Sequence, residues 1–126
     1  MNEITLSFHQ NLTRYFPGEP LRGTVRWNLD KDEKQLAVRL LWFTEGQSVS
    51  NQQIVHEHSW DSPNKQGEQA FEFTLPDAPH SFQGQLITLK WAVEVFARKN
   101  KTIQRLEFTL SPTGEIIRLP VLDEPV

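Results

Sequence analysis

The stretch FPGEPLRGTVRW, Phe16–Trp27, decides how this chain folds. Its Pro17-Gly18 pair predicts a type II turn, because proline fixes φ at the first central position and glycine accepts the positive φ of the second. After the turn, apolar and polar residues alternate. The residues that share the inward side are Leu21, Gly23, Val25 and Trp27. A period of two with one apolar face is typical of a half-buried antiparallel strand.

The same alternation recurs between turn signals as far as Leu110. No segment keeps the i, i+3, i+4, i+7 spacing of an amphipathic helix, and a parallel sheet would need helices between its strands. The pattern therefore predicts an all-β fold, an antiparallel immunoglobulin-like β-sandwich of about seven to eight strands. The predicted inward sets are Ile4, Leu6 and Phe8; Leu36, Val38, Leu40 and Trp42; Phe71, Phe73 and Leu75; Ile87, Leu89, Trp91, Val93 and Val95; and Leu106, Phe108 and Leu110.

The length of 126 residues predicts a single domain over residues 1–126, because domains most often have about 100–150 residues. We expect its core to span about residues 4–110. The pattern weakens after Pro112, so residues 111–126 are expected to form either a last strand or an acidic tail.

Composition narrows the class of protein. Thirteen basic and sixteen acidic residues give a net charge of −3, which is not the basic footprint of a nucleic-acid-binding protein. There is no cysteine, so disulfides and thiolate metal sites are excluded. The sequence shows neither a signal-peptide pattern nor an apolar run of the roughly 18 residues that a membrane span needs. We therefore expect a cytoplasmic protein with no membrane span.

Two blocks of the sequence resemble arrestin-fold N-terminal domains. The first is the turn at residues 16–19 followed by Leu21, Gly23 and Val25. The second consists of Phe71-Glu72-Phe73-Thr74-Leu75-Pro76, then Pro79, Ser81-Phe82 and Gly84, then the strand through Trp91 and Val93. The resemblance spans residues 4 to 110 and includes the arrestins, their retromer-associated relatives and bacterial sporulation-control proteins of arrestin type. It implies an arrestin-like fold and a role as a non-catalytic adaptor or scaffold for protein–protein interaction.

Several features of arrestins do not carry over. The stretch Phe8-His9-Gln10-Asn11 lacks the lysine pair through which receptor-binding arrestins sense phosphate. The chain has length for one sandwich, so the inter-domain polar core is not implied either. The Pro-Pro-x-Tyr tails of other relatives are also absent.

His56 and His58 are the first candidates for chemistry. Their i, i+2 spacing predicts that they share a strand face with Ile54 and Trp60. Two imidazoles so placed can ligate a transition metal if a third ligand approaches. We instead expect two exposed histidines on a polar edge strand and no metal site.

Catalytic motifs are missing from the sequence. There is no Gly-x-Ser-x-Gly elbow, no cysteine nucleophile and no glycine-rich phosphate loop. The paired carboxylates Asp32 and Glu33 lie in a turn cluster and are expected to be solvated. We therefore expect no enzyme activity, no catalytic residues and no cofactor.

The remaining candidates point to binding. Trp60 ends a polar strand, and its ring could stack on a sugar, so a small-ligand or carbohydrate-binding sandwich is the alternative function. Arg98, Lys99 and Lys101 form a predicted basic hairpin tip that could meet an acidic partner.

Sheet edges supply the last candidate surface, because uncovered edge strands recruit partners by strand addition. The predicted edges are Ser50 to Trp60 and Glu115 to Leu122. We expect a protein or peptide partner, or a second copy of the chain in a homodimer, to use one of them.

Overall fold

The computed structural model describes residues 2–46, 51–84 and 86–118. Seven strands of six or more residues and three two-residue strands form two sheets, and no α-helix occurs among the described residues. A single 3-10 turn lies at His9–Asn11. The strands are β1 (Glu3–Phe8), β2 (Arg14–Tyr15), β3 (Pro20–Asn28), β4 (Gln35–Gly46), β5 (Gln52–Asp61), β6 (Gln66–Thr74), β7 (Phe82–Gln83), β8 (Ile87–Ala97), β9 (Thr102–Leu110) and β10 (Ile117–Arg118).

The two sheets differ in width. The smaller sheet has the order β1-β3-β6. The larger sheet runs β5-β4-β8-β9-β2, and β7 and β10 continue it beside the first residues of β8. The prediction of an all-β sandwich is confirmed.

The long strands pair antiparallel, but the short pairs β2–β9 and β7–β10 are parallel. The predicted antiparallel pairing therefore holds for the long strands, and the larger sheet is mixed at these short strands. The reason is that β2 and β10 reach the larger sheet through longer connections, which do not impose the reversal of a hairpin.

The turn before β3 has the predicted geometry. Gly18 has a φ of +82°, and the N–H of Glu19 donates to the carbonyl oxygen of Phe16 over 3.1 Å. The Glu19 carboxylate accepts a hydrogen bond from the Phe16 N–H over 2.6 Å, which fixes the turn from its other side. The chain therefore enters β3 in a single register.

Most of the predicted inward residues form the core, Trp42 and Leu106 are partly buried and pack against it, and Ile87 lies outside it. Leu21, Val25 and Trp91 are fully buried. Ile87 is 45% exposed, so its placement in the core is wrong. It begins β8 opposite Gly46, a residue with no side chain to cover it.

The segment between β6 and β8 is fixed to the core by polar and apolar contacts. The buried indole N–H of Trp91 donates to the carbonyl oxygen of Pro79 over 2.7 Å. Ser81 donates its N–H to the Leu110 carbonyl and accepts the Leu110 N–H at its hydroxyl. Phe82 packs against the core. These contacts explain why the Pro-x-Ser-Phe part of the second motif suits this position.

The two lateral sides of the sandwich are built differently. On one side the chain passes from β1 in the smaller sheet to β2 in the larger, and β1 lies against β9. On the other side β5 and β6 are the edge strands of their sheets, joined by the short connection 62–65. We call the first the closed side and the second the open side.

The predicted C-terminal edge is described only in part. Ile117–Arg118 form β10, which pairs with β7. Residues 119–126, and Ser50 of the other predicted edge, lie outside the described residues.

Candidate functional site

The candidate site is the seam between β5 and β6 on the open side. Eight of the ten residues of β5 are exposed, although the strand pairs with β4 along its length. The seam is lined by His56, His58 and Trp60 from β5 and by Phe71 and Phe73 from β6.

The two histidines predicted to share a face do so, and they lie on a phenylalanine of the opposite sheet. The rings of His58 and Phe73 are stacked with centroids 4.9 Å apart, and those of His56 and Phe73 with centroids 6.5 Å apart. Phe73 itself is buried. The imidazoles therefore act as a polar lid over the edge of the core.

His58 also bridges the two sheets by a hydrogen bond. Its Nε2 lies 3.2 Å from the carbonyl oxygen of Glu72 on β6. A carbonyl oxygen can only accept, so Nε2 must carry the proton.

Ile54 does not share this face, which corrects the sequence prediction. The register changes between Leu40 and Leu41, so that His56 pairs with Leu40 but Ile54 pairs with Leu41. The extra residue is Val55, and this β-bulge reverses the side to which Ile54 points.

Trp60 is half-buried and packs against the core, as does Val55. A groove of about 260 Å³ lies beside the indole, between His58, Ser59 and residues 70–72. Pockets that hold small molecules are usually about 300–1,000 Å³. Its contact with the core is what we expect if Trp60 has a structural role.

The predicted basic tip is the turn between β8 and β9, where Arg98, Lys99 and Lys101 are exposed. It lies at the same end of the larger sheet as Trp60, because Leu36 pairs with Ala97 on one side and Trp60 on the other. Lys99 lines a groove with residues 62–65, the connection between β5 and β6. The structure thus brings the tip to the end of the seam at which Trp60 lies.

Glu33 is buried, only 4% exposed, so the expectation that it is solvated is wrong. Its carboxylate accepts five hydrogen bonds with donor–acceptor distances of 3.0–3.3 Å. The donors are the backbone N–H groups of Lys34, Gln35, Lys99 and Asn100 and the side-chain amide of Asn100. The network fastens the β8–β9 turn to the loop before β4.

The pKa of Glu33 is lowered from its ordinary value. Burial of the carboxyl acts to raise it, but the hydrogen bonds from Asn100, Lys99 and Gln35 favour the charged form and outweigh the burial. A buried carboxylate with such partners holds the β8–β9 turn against the loop before β4. The sequence signal for it was weak, since an acid in a loop is ordinarily solvated.

Two further findings concern the described ranges only. In residues 2–46, 51–84 and 86–118, no group of three or more His, Cys, Asp or Glu side chains is arranged to hold a metal ion. The same ranges contain no helix with the length and apolarity to cross a bilayer.

Two stacked sheets of this order, with the turn at 16–19 and the anchored connection before β8, define an arrestin-like fold. The solved structure of Spo0M, the sporulation control protein from Bacillus subtilis, is similar to it with a TM-score of 0.64 and 17% sequence identity. The match covers 86% of this chain and 49% of that protein, so the chain spans about half its length. At this identity the likeness establishes the fold alone, and it confirms the resemblance at that level. No protein-family model and no curated protein matches the chain.

Proposed function

We propose that this chain is a non-catalytic adaptor or scaffold domain that binds a protein or peptide partner by strand addition at β5. The observation that carries the proposal is the exposure of β5, ten residues long, at the edge of the larger sheet. Exposed edge strands accept another chain through their free backbone groups.

The backbone of β5 offers such groups at known positions. Ser62 donates its N–H to the carbonyl of Lys34, so residue 62 points toward β4. Because neighbouring residues of a strand point to opposite sides, Glu57, Ser59 and Asp61 direct their N–H and C=O groups outward. The register shift at Val55 interrupts this row, which leaves residues 57–61 as the regular part of the edge.

The test is to replace Ser59 by proline. Ser59→Pro removes one outward N–H and leaves the ladder to β4 intact, as proline is tolerated on the free side of an edge strand. Ser59→Ala, which keeps the N–H, is the matched control. We expect a partner captured from native cells with the wild-type chain to bind Ser59→Pro with about tenfold lower affinity. The reason is that the interface loses one hydrogen bond.

Equal binding by the two variants would refute strand addition at β5. Sedimentation of both variants tests the homodimer form of the proposal, in which a second copy is the partner. If the wild-type chain dimerises through β5, Ser59→Pro is monomeric at the same concentration and Ser59→Ala is not.

The proposal places the domain in the cytoplasm and treats residues 1–126 as one domain. Support comes from the absence of cysteine, which suits a reducing compartment. Fractionation of native cells checks the location, and limited proteolysis checks the domain limits.

A further inference from the structure

Among the residues that the structure describes, no strand lies opposite the inner face of β5. The smaller sheet is three strands wide, whereas β5-β4-β8-β9-β2 is five strands wide. β1 packs against β9 of the larger sheet. If each following strand of the smaller sheet is matched to the next strand of the larger sheet, β3 lies over β8 and β6 lies over β4. At the next position, beside β6 and over β5, the described residues place the rings of His56, His58 and Trp60.

The edge of β6 that faces this position has free backbone groups. Lys65 accepts the Leu29 N–H, and Leu75 donates to the Glu19 carbonyl, so the odd-numbered residues point toward β3 at both ends of the strand. The even-numbered residues point to the open edge. These residues are Gln66, Glu68, Ala70, Glu72 and Thr74.

Two side chains occupy part of this edge. The Glu72 carbonyl accepts the hydrogen bond from His58, and the Ala70 carbonyl accepts one from the side-chain amide of Gln69 over 3.3 Å. Among the described residues, the outward groups of β6 have no backbone partner. His58 and Gln69 thus occupy positions where a neighbouring strand would donate its N–H groups.

We propose that the open edge of β6 is a second acceptor site, where an extended segment of a partner protein adds as the fourth strand of the smaller sheet. Binding displaces the His58 imidazole from the Glu72 carbonyl, so His58 is a removable cap. This site is separate from the edge of β5, and each can fail without the other.

The chemistry of the seam specifies the segment. Its inward side chains would cover His56, His58 and Trp60 and must be apolar. Its outward side chains would lie beside Glu68 and Glu72, whose side chains are 54% and 52% exposed. The arginines that pair with these acids, Arg26 and Arg22, lie on β3, on the side away from the open edge. Basic residues are therefore favoured as cross-strand neighbours, and the ligand is a strand of alternating apolar and basic residues.

The experiment titrates the full chain with a short peptide of alternating valine and lysine and follows the backbone amide resonances. The matched probe replaces every lysine by glutamate. We expect shifts centred on residues 66–74 and on His58 with the lysine peptide, and binding about tenfold weaker with the glutamate peptide. Failure of the lysine peptide to bind, or shifts confined to β4 and β5, would overturn the proposal.

Variants locate the edge. Ala70→Pro removes an outward N–H of β6 and should weaken lysine-peptide binding about tenfold. Ala70→Ser keeps the N–H, and Ser59→Pro blocks only β5, so both should bind normally. Unchanged binding by a folded Ala70→Pro variant, or loss with Ser59→Pro, refutes the site.

Two further variants keep the proposal testable if Ala70→Pro does not fold. Charge reversal by Glu68→Lys together with Glu72→Lys should invert the peptide preference, so that the glutamate peptide binds more tightly than the lysine peptide. An unchanged preference for the lysine peptide refutes the electrostatic argument. His58→Ala should tighten lysine-peptide binding several-fold, because no cap has to leave. Weaker binding by His58→Ala would show that the imidazole is a contact and not a cap.

Discussion

The closed and open sides of the sandwich each carry a cluster of three rings, and the two clusters differ in burial. On the closed side Phe8, Tyr15 and Phe108 meet edge to face, with centroids 5.5–6.2 Å apart and every ring buried. On the open side His56 and His58 are exposed and stack on Phe73.

The difference follows from what covers each cluster. The crossing from β1 to β2 closes the first side and lets apolar rings fill it. At the second side the connection 62–65 joins the sheets at the Trp60 end, and along the rest of the seam polar rings that tolerate water lie over the core. A side built this way is suited to receive another strand, whereas the closed side is suited to stability.

The largest effect is expected from truncation on the closed side. Phe108→Ala should lower the free energy of unfolding by about 4 kcal/mol, since it removes a buried ring that touches Phe8, Tyr15 and Trp91. Urea denaturation measures the change. Ile103→Ala, on the same strand but 61% exposed, is the control and should cost under about 0.5 kcal/mol. Similar losses for the two variants would contradict the assignment of the closed side.

The next largest effect concerns the Glu33 network, which fastens the β8–β9 turn to the loop before β4. Glu33→Gln should cost about 2–3 kcal/mol, because several donors lose a charged acceptor in a buried site. Asp32→Asn, at the exposed neighbour, should change stability little.

The Glu33 network also predicts a pH dependence. The folded-state pKa of Glu33 lies below its ordinary value of 4.5, so its contribution is present above that value and is lost as the pH falls through the folded-state pKa. Urea denaturation of the wild type and Glu33→Gln along an acid series measures this. The stability gap between them should narrow in acid; a gap that does not change with pH would contradict the role of the charge.

A smaller effect on the closed side concerns the Tyr15 hydroxyl. Tyr15 is the only tyrosine, so ultraviolet titration follows its hydroxyl directly. Burial raises its pKa above 10.0, and the charge of Glu19 adds to the rise. The stability that the protonated hydroxyl provides is therefore lost as the pH rises through the folded-state pKa. Glu19→Gln should slightly lower the titration midpoint of the Tyr15 hydroxyl. A midpoint at the ordinary tyrosine value in the folded wild type would show that the Tyr15 ring is solvated.

The smallest effect is expected on the open side. His58→Ala removes one exposed hydrogen bond and a ring stacked on Phe73, and should cost under about 1 kcal/mol in urea denaturation. A loss as large as that of Phe108→Ala would mean that the seam is part of the stabilising core and not a binding surface.

The sequence predicted most of the fold because its signals are local. The positive φ of Gly18 and the alternation from Leu21 to Trp27 depend on residues next to one another, and both are found in the structure. The common face of His56, His58 and Trp60 follows from even spacing beyond the bulge. The prediction failed for Ile54, because a bulge is set by the pairing of β4 with β5.

Alternation and turn chemistry along the chain determined by themselves that this protein is a β-sandwich of about seven to eight strands that includes one polar strand. Only the tertiary structure decided that Phe73 lies beneath the histidines, that the carbonyl of Glu72 accepts from His58, and that Glu33 is buried against Asn100. These contacts join residues far apart in sequence. Their partners are chosen by how the two sheets stack, a property that no local pattern of side chains contains.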